Sequence, residues 1–326
     1  MRRPEGSAAV RPGGLALARR DDGIGRSSRD GGTLQWDTHG QDWPNRRASR
    51  FVEAGGIRWH VQLAGDGPVA LLLHGTGAST HSWRDLLPEL AREFTVVAPD
   101  LPGHGFTTAA ADEGYSLSGM AGAIASLLAS LEVTPRLAVG HSAGAAIALR
   151  MVLDGGIAPD AVVSINGALL PFRGLPGQLF SPAARLLARL DFVPRLVARR
   201  AADPDAVTRL LRDTGSRLDD EGVALYRRLM CSPAHVAATI AMMSRWDLAP
   251  MIREYPELAV PLLLVVGDQD GTVAPQEADR VARLVPGARV ERLAGLGHLA
   301  HEEEPGRVAE LIIGFARSVE AGGSGR

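Results

Sequence analysis

The chain has 326 residues, 45% of them hydrophobic and 22% charged, with a formal net charge of -2. That suits a soluble globular protein with one large core and gives no electrostatic motive for binding nucleic acid. Every basic residue other than histidine is arginine, so lysine Schiff-base chemistry and a G-x-x-x-x-G-K nucleotide loop are both excluded.

Cys231 is the only cysteine, which rules out an internal disulfide and fits a reducing, cytoplasmic setting. Its neighbours Met230, Ser232 and Pro233 do not resemble an activated thiol site. Met1-Arg2-Arg3 precedes only a short apolar stretch, Leu15 to Ala18, too short for a secretion signal. No apolar run is long enough to span a bilayer.

Residues 1–40 are rich in Gly, Arg, Asp and Ser without apolar period and read as a disordered tail. From Phe51 the texture changes. Ile57 to Leu63 alternates as a half-buried strand does, and Val69 to Leu73 is a continuous apolar run, as in a strand covered on both faces. Thr95 to Ala98, Leu137 to Val139, Ala161 to Ile165 and Pro261 to Val266 repeat that signal, with Arg289 to Leu293 weaker. Apolar residues at helical spacing fill His81 to Arg92, Ser118 to Leu131, Ala143 to Leu153, Gln276 to Val285 and Pro305 to Val319. The alternation predicts an α/β fold: a mostly parallel sheet flanked by helices, with its core in residues 41–166 and 254–320. Residues 167–253 are helical in texture, cut by Pro171, Pro176, Pro182, Pro194 and Pro204. They read as an inserted helical lid over the C-terminal edge of the sheet.

Gly140-His141-Ser142-Ala143-Gly144 follows a strand and opens a helix, which is the setting of a nucleophile elbow. There the serine hydroxyl stands at a helix N-terminus that favours developing negative charge. A serine needs a base, and Gly295-Leu296-Gly297-His298 follows the last strand. The acid is expected one strand earlier, in Gly267-Asp268-Gln269-Asp270; Asp270 is the choice, with Asp268 shaping the turn. The catalytic set is therefore Ser142, His298 and Asp270. The amides of Ala143 and Thr76 are the expected oxyanion donors, Thr76 lying in the loop His74-Gly75-Thr76-Gly77. His74, Gly75 and His141 are assigned to the substrate site. His298 and His301 with Glu302, Glu303 and Glu304 do not form the H-E-x-x-H pattern, and the acid run precedes a helix. Neither metal nor cofactor is expected.

These motifs, together with Asp100-Leu101-Pro102-Gly103-His104-Gly105, Glu303 and Pro305, resemble those of the α/β-hydrolase superfamily from about Phe51 to Val319. More narrowly, several segments resemble the magnesium chelatase accessory proteins of bacteriochlorophyll-making bacteria. They are Asp42 to Arg46, Ser49 to Val52, His141 to Ala146 and Asn166 to Phe172. The narrower resemblance implies a role in photosynthetic pigment synthesis, near the insertion of magnesium into protoporphyrin, with chelatase subunits as partners. Serine at the elbow, where related epoxide hydrolases and dehalogenases carry Asp, points to acyl transfer.

Two functions stay open on the sequence. One is an esterase-like hydrolase of a small apolar ester or a tetrapyrrole-like substrate. The other is a non-catalytic porphyrin carrier or chelatase-docking protein. In the lid, Leu186, Leu187, Leu190, Leu196 and Val197 alternate with Arg185, Arg189, Arg195, Arg199 and Arg200. That face would suit an acidic flat ligand or a peripheral membrane contact; the plainer reading is a solvated helix with its arginines outward.

Overall fold

The computed structural model describes residues 32–171 and 192–323. Within them an eight-stranded sheet runs in the order β1-β2-β4-β3-β5-β6-β7-β8. The strands are β1 (Ser49–Ala54), β2 (Ile57–Ala64), β3 (Val69–Leu73), β4 (Thr95–Pro99), β5 (Leu137–His141), β6 (Ala161–Ile165), β7 (Leu262–Gly267) and β8 (Arg289–Leu293). β1 with β2 and β2 with β4 pair antiparallel; every other neighbouring pair is parallel.

The continuous apolar runs follow from burial on both faces. Leu71 and Leu73 of β3 enter one core, while Ala70 and Leu72 enter the other. Leu262 and Leu264 of β7 face the first core, with Leu263 and Val265 facing the second. This is the two-residue period of a strand with no solvent face. Each fully buried leucine contributes on the order of 2 kcal/mol. The first core is closed by α3 (Leu117–Ser130) and α4 (Ala143–Leu153) through Met120, Ile124, Leu127 and Ile147. Ser116 caps α3 by accepting from the Gly119 amide. The second is closed by α2 (Leu86–Leu90) and α12 (Pro305–Gly323) through Leu86, Leu90, Val308 and Ile312.

Between β6 and β7 come α5 (Phe192–Arg200), α6 (Pro204–Asp213), α7 (Asp220–Met230), α8 (Pro233–Arg245) and α9 (Ala249–Glu254). α10 (Gln276–Ala282) and the short α11 (Ala300–Glu303) follow β7 and β8. Of the basic-apolar lid pattern, Arg185, Leu186, Leu187, Arg189 and Leu190 lie outside the described residues. Leu196 is 60% exposed, and Arg195, Arg199 and Arg200 are exposed beside it.

Three expectations need correction. Order begins before residue 41: α1 is Trp36–His39, and Leu34 and Trp36 pack with Trp43, Phe51, Phe106, Leu225 and Leu229. The apolar residues of this segment are sparse in sequence and are gathered only by the fold. β1 was not expected, because its sequence SRFVEA lies at the sheet edge and buries only Ala54 fully. The single helix expected over His81 to Arg92 is a 3-10 turn, Thr80–Trp83, followed by α2. All four residues of that turn are buried, so tertiary packing overrides the helical period there.

Candidate active site

Ser142 joins β5 to α4 with φ 50 and ψ -115, a left-handed backbone conformation that costs on the order of 1–3 kcal/mol for a non-glycine residue. The surroundings enforce it. The Ser142 amide donates to the Ile165 carbonyl at 3.0 Å, and its own carbonyl accepts from the amides of Ala145 and Ala168 at 3.2 and 3.1 Å. The flanking glycines are needed for space. A Cβ on Gly140 would lie 2.4 Å from the Ala145 amide nitrogen, and one on Gly144 would lie 1.9 Å from the Leu73 carbonyl oxygen.

Gly144→Ala therefore carries a sharp expectation. Alanine gains about 1 kcal/mol of helix propensity over glycine, but this one collides with the backbone of β3. We expect a net loss of about 3 kcal/mol in urea unfolding, at the upper end for overpacked sites. Unchanged stability would mean that α4 is free to move off β3.

β3 leads into the loop His74-Gly75-Thr76-Gly77, which lies directly against Ser142: a Cβ on Gly75 would lie 3.1 Å from Ser142 Cβ. Among the described residues the amides of Thr76 and Ala143 donate to no backbone carbonyl. The loop is held from below. His74 Nδ1 donates to the Gly75 carbonyl at 2.8 Å, and its Nε2 accepts from the Leu101 amide at 2.9 Å. His235 of α8 donates to the Gly77 carbonyl at 3.1 Å. His74 is fully buried with both nitrogens engaged, so it shapes the loop rather than reaching a ligand.

Asp270 follows β7 and is buried. Its Oδ1 accepts from the amides of Thr272 and Val273 at 2.7 and 2.9 Å; its Oδ2 accepts from His298 Nδ1 at 2.8 Å and from Asn166 Nδ2 at 2.7 Å. The acid and base chosen from sequence are thus brought together. Asp268 is exposed and its Oδ1 accepts from the Gly295 amide at 2.8 Å, which ties the acid loop to the base loop. Among the described residues neither Ser142 Oγ nor His298 Nε2 forms a hydrogen bond, so both atoms remain uncommitted.

His298 is anchored on several sides. Its carbonyl accepts from His141 Nε2 at 2.9 Å, and its amide donates to the Thr214 carbonyl at 3.2 Å. The same Thr214 carbonyl accepts from the Gly271 amide at 3.0 Å, beside the acid. Ser216 Oγ accepts from the Leu299 amide at 2.8 Å. The His141 ring is buried between His298 and His301, 4.8 and 4.4 Å away. Burial first, then the neighbouring His301 and His298, holds it well below the ordinary histidine pKa. His141 supports His298 from beneath.

Each of the three glutamates directly after His301 has its own partner. Glu302 pairs with Arg84 and accepts from Tyr226 Oη at 2.7 Å; Glu303 accepts from the Gly297 and Arg217 amides; Glu304 meets Arg307. Tyr226 lies on α7, so a buried Arg84–Glu302–Tyr226 group ties the insertion to the loop that carries His298. Asn166 and Thr214 were missed from sequence. Asn166 lies 104 residues from Asp270, and Thr214 acts through its backbone, where side-chain identity carries no signal.

Comparison with known proteins bears on the fold. Residues 68–305 match the family model described as the alpha/beta hydrolase fold. The chain is 41% identical to the magnesium-chelatase 30 kDa subunit of Rhodobacter capsulatus, over 83% of this chain and 95% of that protein. It is 31% identical to a pimeloyl-[acyl-carrier protein] methyl ester esterase of Methylococcus capsulatus, over 79% of this chain and 98% of that one. Among solved structures, a putative lipase from Acinetobacter baumannii superposes with a TM-score of 0.73 at 21% identity, covering 90% of this chain and 100% of its own. The chain belongs to the α/β-hydrolase fold family.

Proposed function

We propose that the protein is a serine-dependent hydrolase of ester or acyl bonds, acting as a cytoplasmic accessory factor in bacteriochlorophyll synthesis near the magnesium insertion step. The observation that carries the chemistry is the buried Asp270–His298 pair at 2.8 Å beside a serine strained into the elbow conformation. In this reading His298 Nε2 takes the Ser142 proton as Oγ attacks the substrate carbonyl. The Ala143 and Thr76 amides bind the oxyanion, and the same imidazole returns the proton to the leaving group. Asp270 keeps the Nδ1 proton in place so that Nε2 is the basic nitrogen. Gly75 and His141 border the reacting centre. The substrate class is a small apolar ester or tetrapyrrole-like ester. The relative named as a magnesium-chelatase subunit supports the biosynthetic setting and chelatase subunits as partners.

The test is labelling with a fluorophosphonate, followed by intact mass. The wild type is expected to gain one adduct, and Ser142→Ala none. Folded wild type left unlabelled beside a reactive serine hydrolase would overturn the catalytic reading.

The second reading is a non-catalytic porphyrin carrier or chelatase-docking protein. Exposed Phe192 and Leu196, beside Arg195, Arg199 and Arg200 on α5, are what favour it. The same face would serve peripheral contact with an anionic membrane; no helix among the described residues is long and apolar enough to cross one. Protoporphyrin binding that survives replacement of these arginines by Gln would remove its motive.

A further inference from the structure

Asn166 follows β6 and has φ 47, a left-handed conformation that Asn tolerates better than most residues. Its amide donates to the Val265 carbonyl of β7 at 2.8 Å, so its backbone is bound to the strand that delivers the acid. The side chain is buried, and Nδ2 donates to Asp270 Oδ2 at 2.7 Å. That oxygen is the one that accepts from His298 Nδ1. Chemistry fixes which end of the amide faces the acid, because an ionised carboxylate only accepts. Asn166 Oδ1 then points elsewhere. Among the described residues it has no partner, and neither does the buried Ser164 Oγ, which lines the same small cavity behind Asp270. A buried acceptor left without a donor is costly, and it persists here in a group whose other end holds the acid.

We propose that Asn166 is a positioning residue for the catalytic acid. The backbone amides of Thr272 and Val273 hold only Oδ1. Rotation of the carboxylate plane is therefore set at Oδ2, where Asn166 occupies one lone-pair direction and leaves the other for the His298 Nδ1 proton. Without Asn166 the carboxylate turns away from that line, and the imidazole loses its preference for carrying the proton on Nδ1. The kinetic consequence rests on the hydrolase reading; the effect on the imidazole does not.

Two variants and two readouts test this. Asn166→Ala is expected to slow fluorophosphonate labelling about ten- to a hundred-fold across the pH range, as for loss of a hydrogen bond to a charged group. Asn166→Asp keeps the shape but sets a second carboxylate beside Asp270. Two carboxylates this close do not both ionise readily and instead share a proton. That proton bridges them at lower pH and is lost on raising it. The labelling rate of Asn166→Asp is therefore expected to fall about ten-fold or more as the pH is raised and the shared proton is lost, where the wild-type rate rises or stays level. A general packing role would lower the rate without changing the profile, and a profile parallel to wild type overturns the proposal. The second readout is the His298 tautomer in 15N-histidine spectra, expected as Nδ1–H in the wild type and mixed in Asn166→Ala. If wild type does not label at all, the hydrolase reading falls but the tautomer still decides: an unchanged tautomer in both variants overturns the positioning role.

Discussion

Asp270→Asn is expected to lower the rate of Ser142 acylation about a thousand- to ten-thousand-fold while leaving the protein folded, the range typical of a triad acid turned into its amide. The reason lies in the four donors that converge on this one carboxylate. Thr272 and Val273 present backbone N–H groups to Oδ1, and His298 and Asn166 present theirs to Oδ2. An asparagine has one acceptor oxygen. If that oxygen stays with the two backbone amides, its NH2 group faces His298 Nδ1 and the Asn166 NH2. The imidazole must then accept at Nδ1 and carry its proton on Nε2, which disables it as the base for Ser142. Asp268→Asn, whose remaining carbonyl oxygen still accepts from the Gly295 amide, is the matched control and is expected to stay within about two-fold of wild type. Comparable losses in the two variants would show that Asp270 has no special relation to His298.

The second large effect is acid unfolding. Six histidines are held neutral in the fold, in each case mainly by burial: His74, His81, His104, His141, His235 and His301. His235 is pushed down to about 4 and His301 to about 3. His235 shows why protonation is disruptive: its Nδ1 accepts from the Gly105 amide, and a proton there would break that bond. The unfolded chain takes up these protons near pH 6.5, so the folded state binds fewer protons below that pH. Stability is then fully present above about pH 7 and is lost as pH falls through 6.5 toward the folded values. Glu302 acts in the opposite sense. Burial lifts its carboxyl to about 7 against the pull of Arg84 and Tyr226, so it offsets one proton.

A net uptake of several protons weakens the fold by several kcal/mol per pH unit, on the order of a typical domain stability within one to two units. We expect cooperative loss of tryptophan fluorescence and circular dichroism between about pH 4.5 and 6, with a log-unfolding slope of several protons. Native spectra persisting at about pH 4 would refute this.

How far the sequence could be read depended on whether the information was local. β3, β6 and β8 match their expected spans because their alternating or continuous apolar patterns lie within five residues. Ser142, His298 and Asp270 were legible because each sits in a short glycine-bearing motif at a strand end. The pairing of His298 with Asp270 then followed from chain order in a parallel sheet. What escaped was non-local. Leu34 and Trp36 join a core that is completed by Phe106, Leu225 and Leu229, far along the chain. Asn166 looked like the entry to the insertion, and only the parallel pairing of β6 with β7 places it against the acid. His74 and His141 were assigned to substrate because they border the motifs; the folded chain spends both nitrogens of His74 on the Gly75 and Leu101 backbone, and Nε2 of His141 on the His298 carbonyl.

The Thr214 carbonyl, shared by the amides of Gly271 and His298, bears on how this protein can be engineered. The helices between β6 and β7 would ordinarily be treated as an exchangeable cassette, to be shortened or traded between homologues to alter substrate range. Here one turn of that cassette serves as a clip between the acid loop and the base loop, and Ser216 and Tyr226 extend its grip. A chimera that replaces the insertion as a whole would discard part of the machinery it was meant to leave alone. Exchanges confined to the chain before Thr214 would retain the clip.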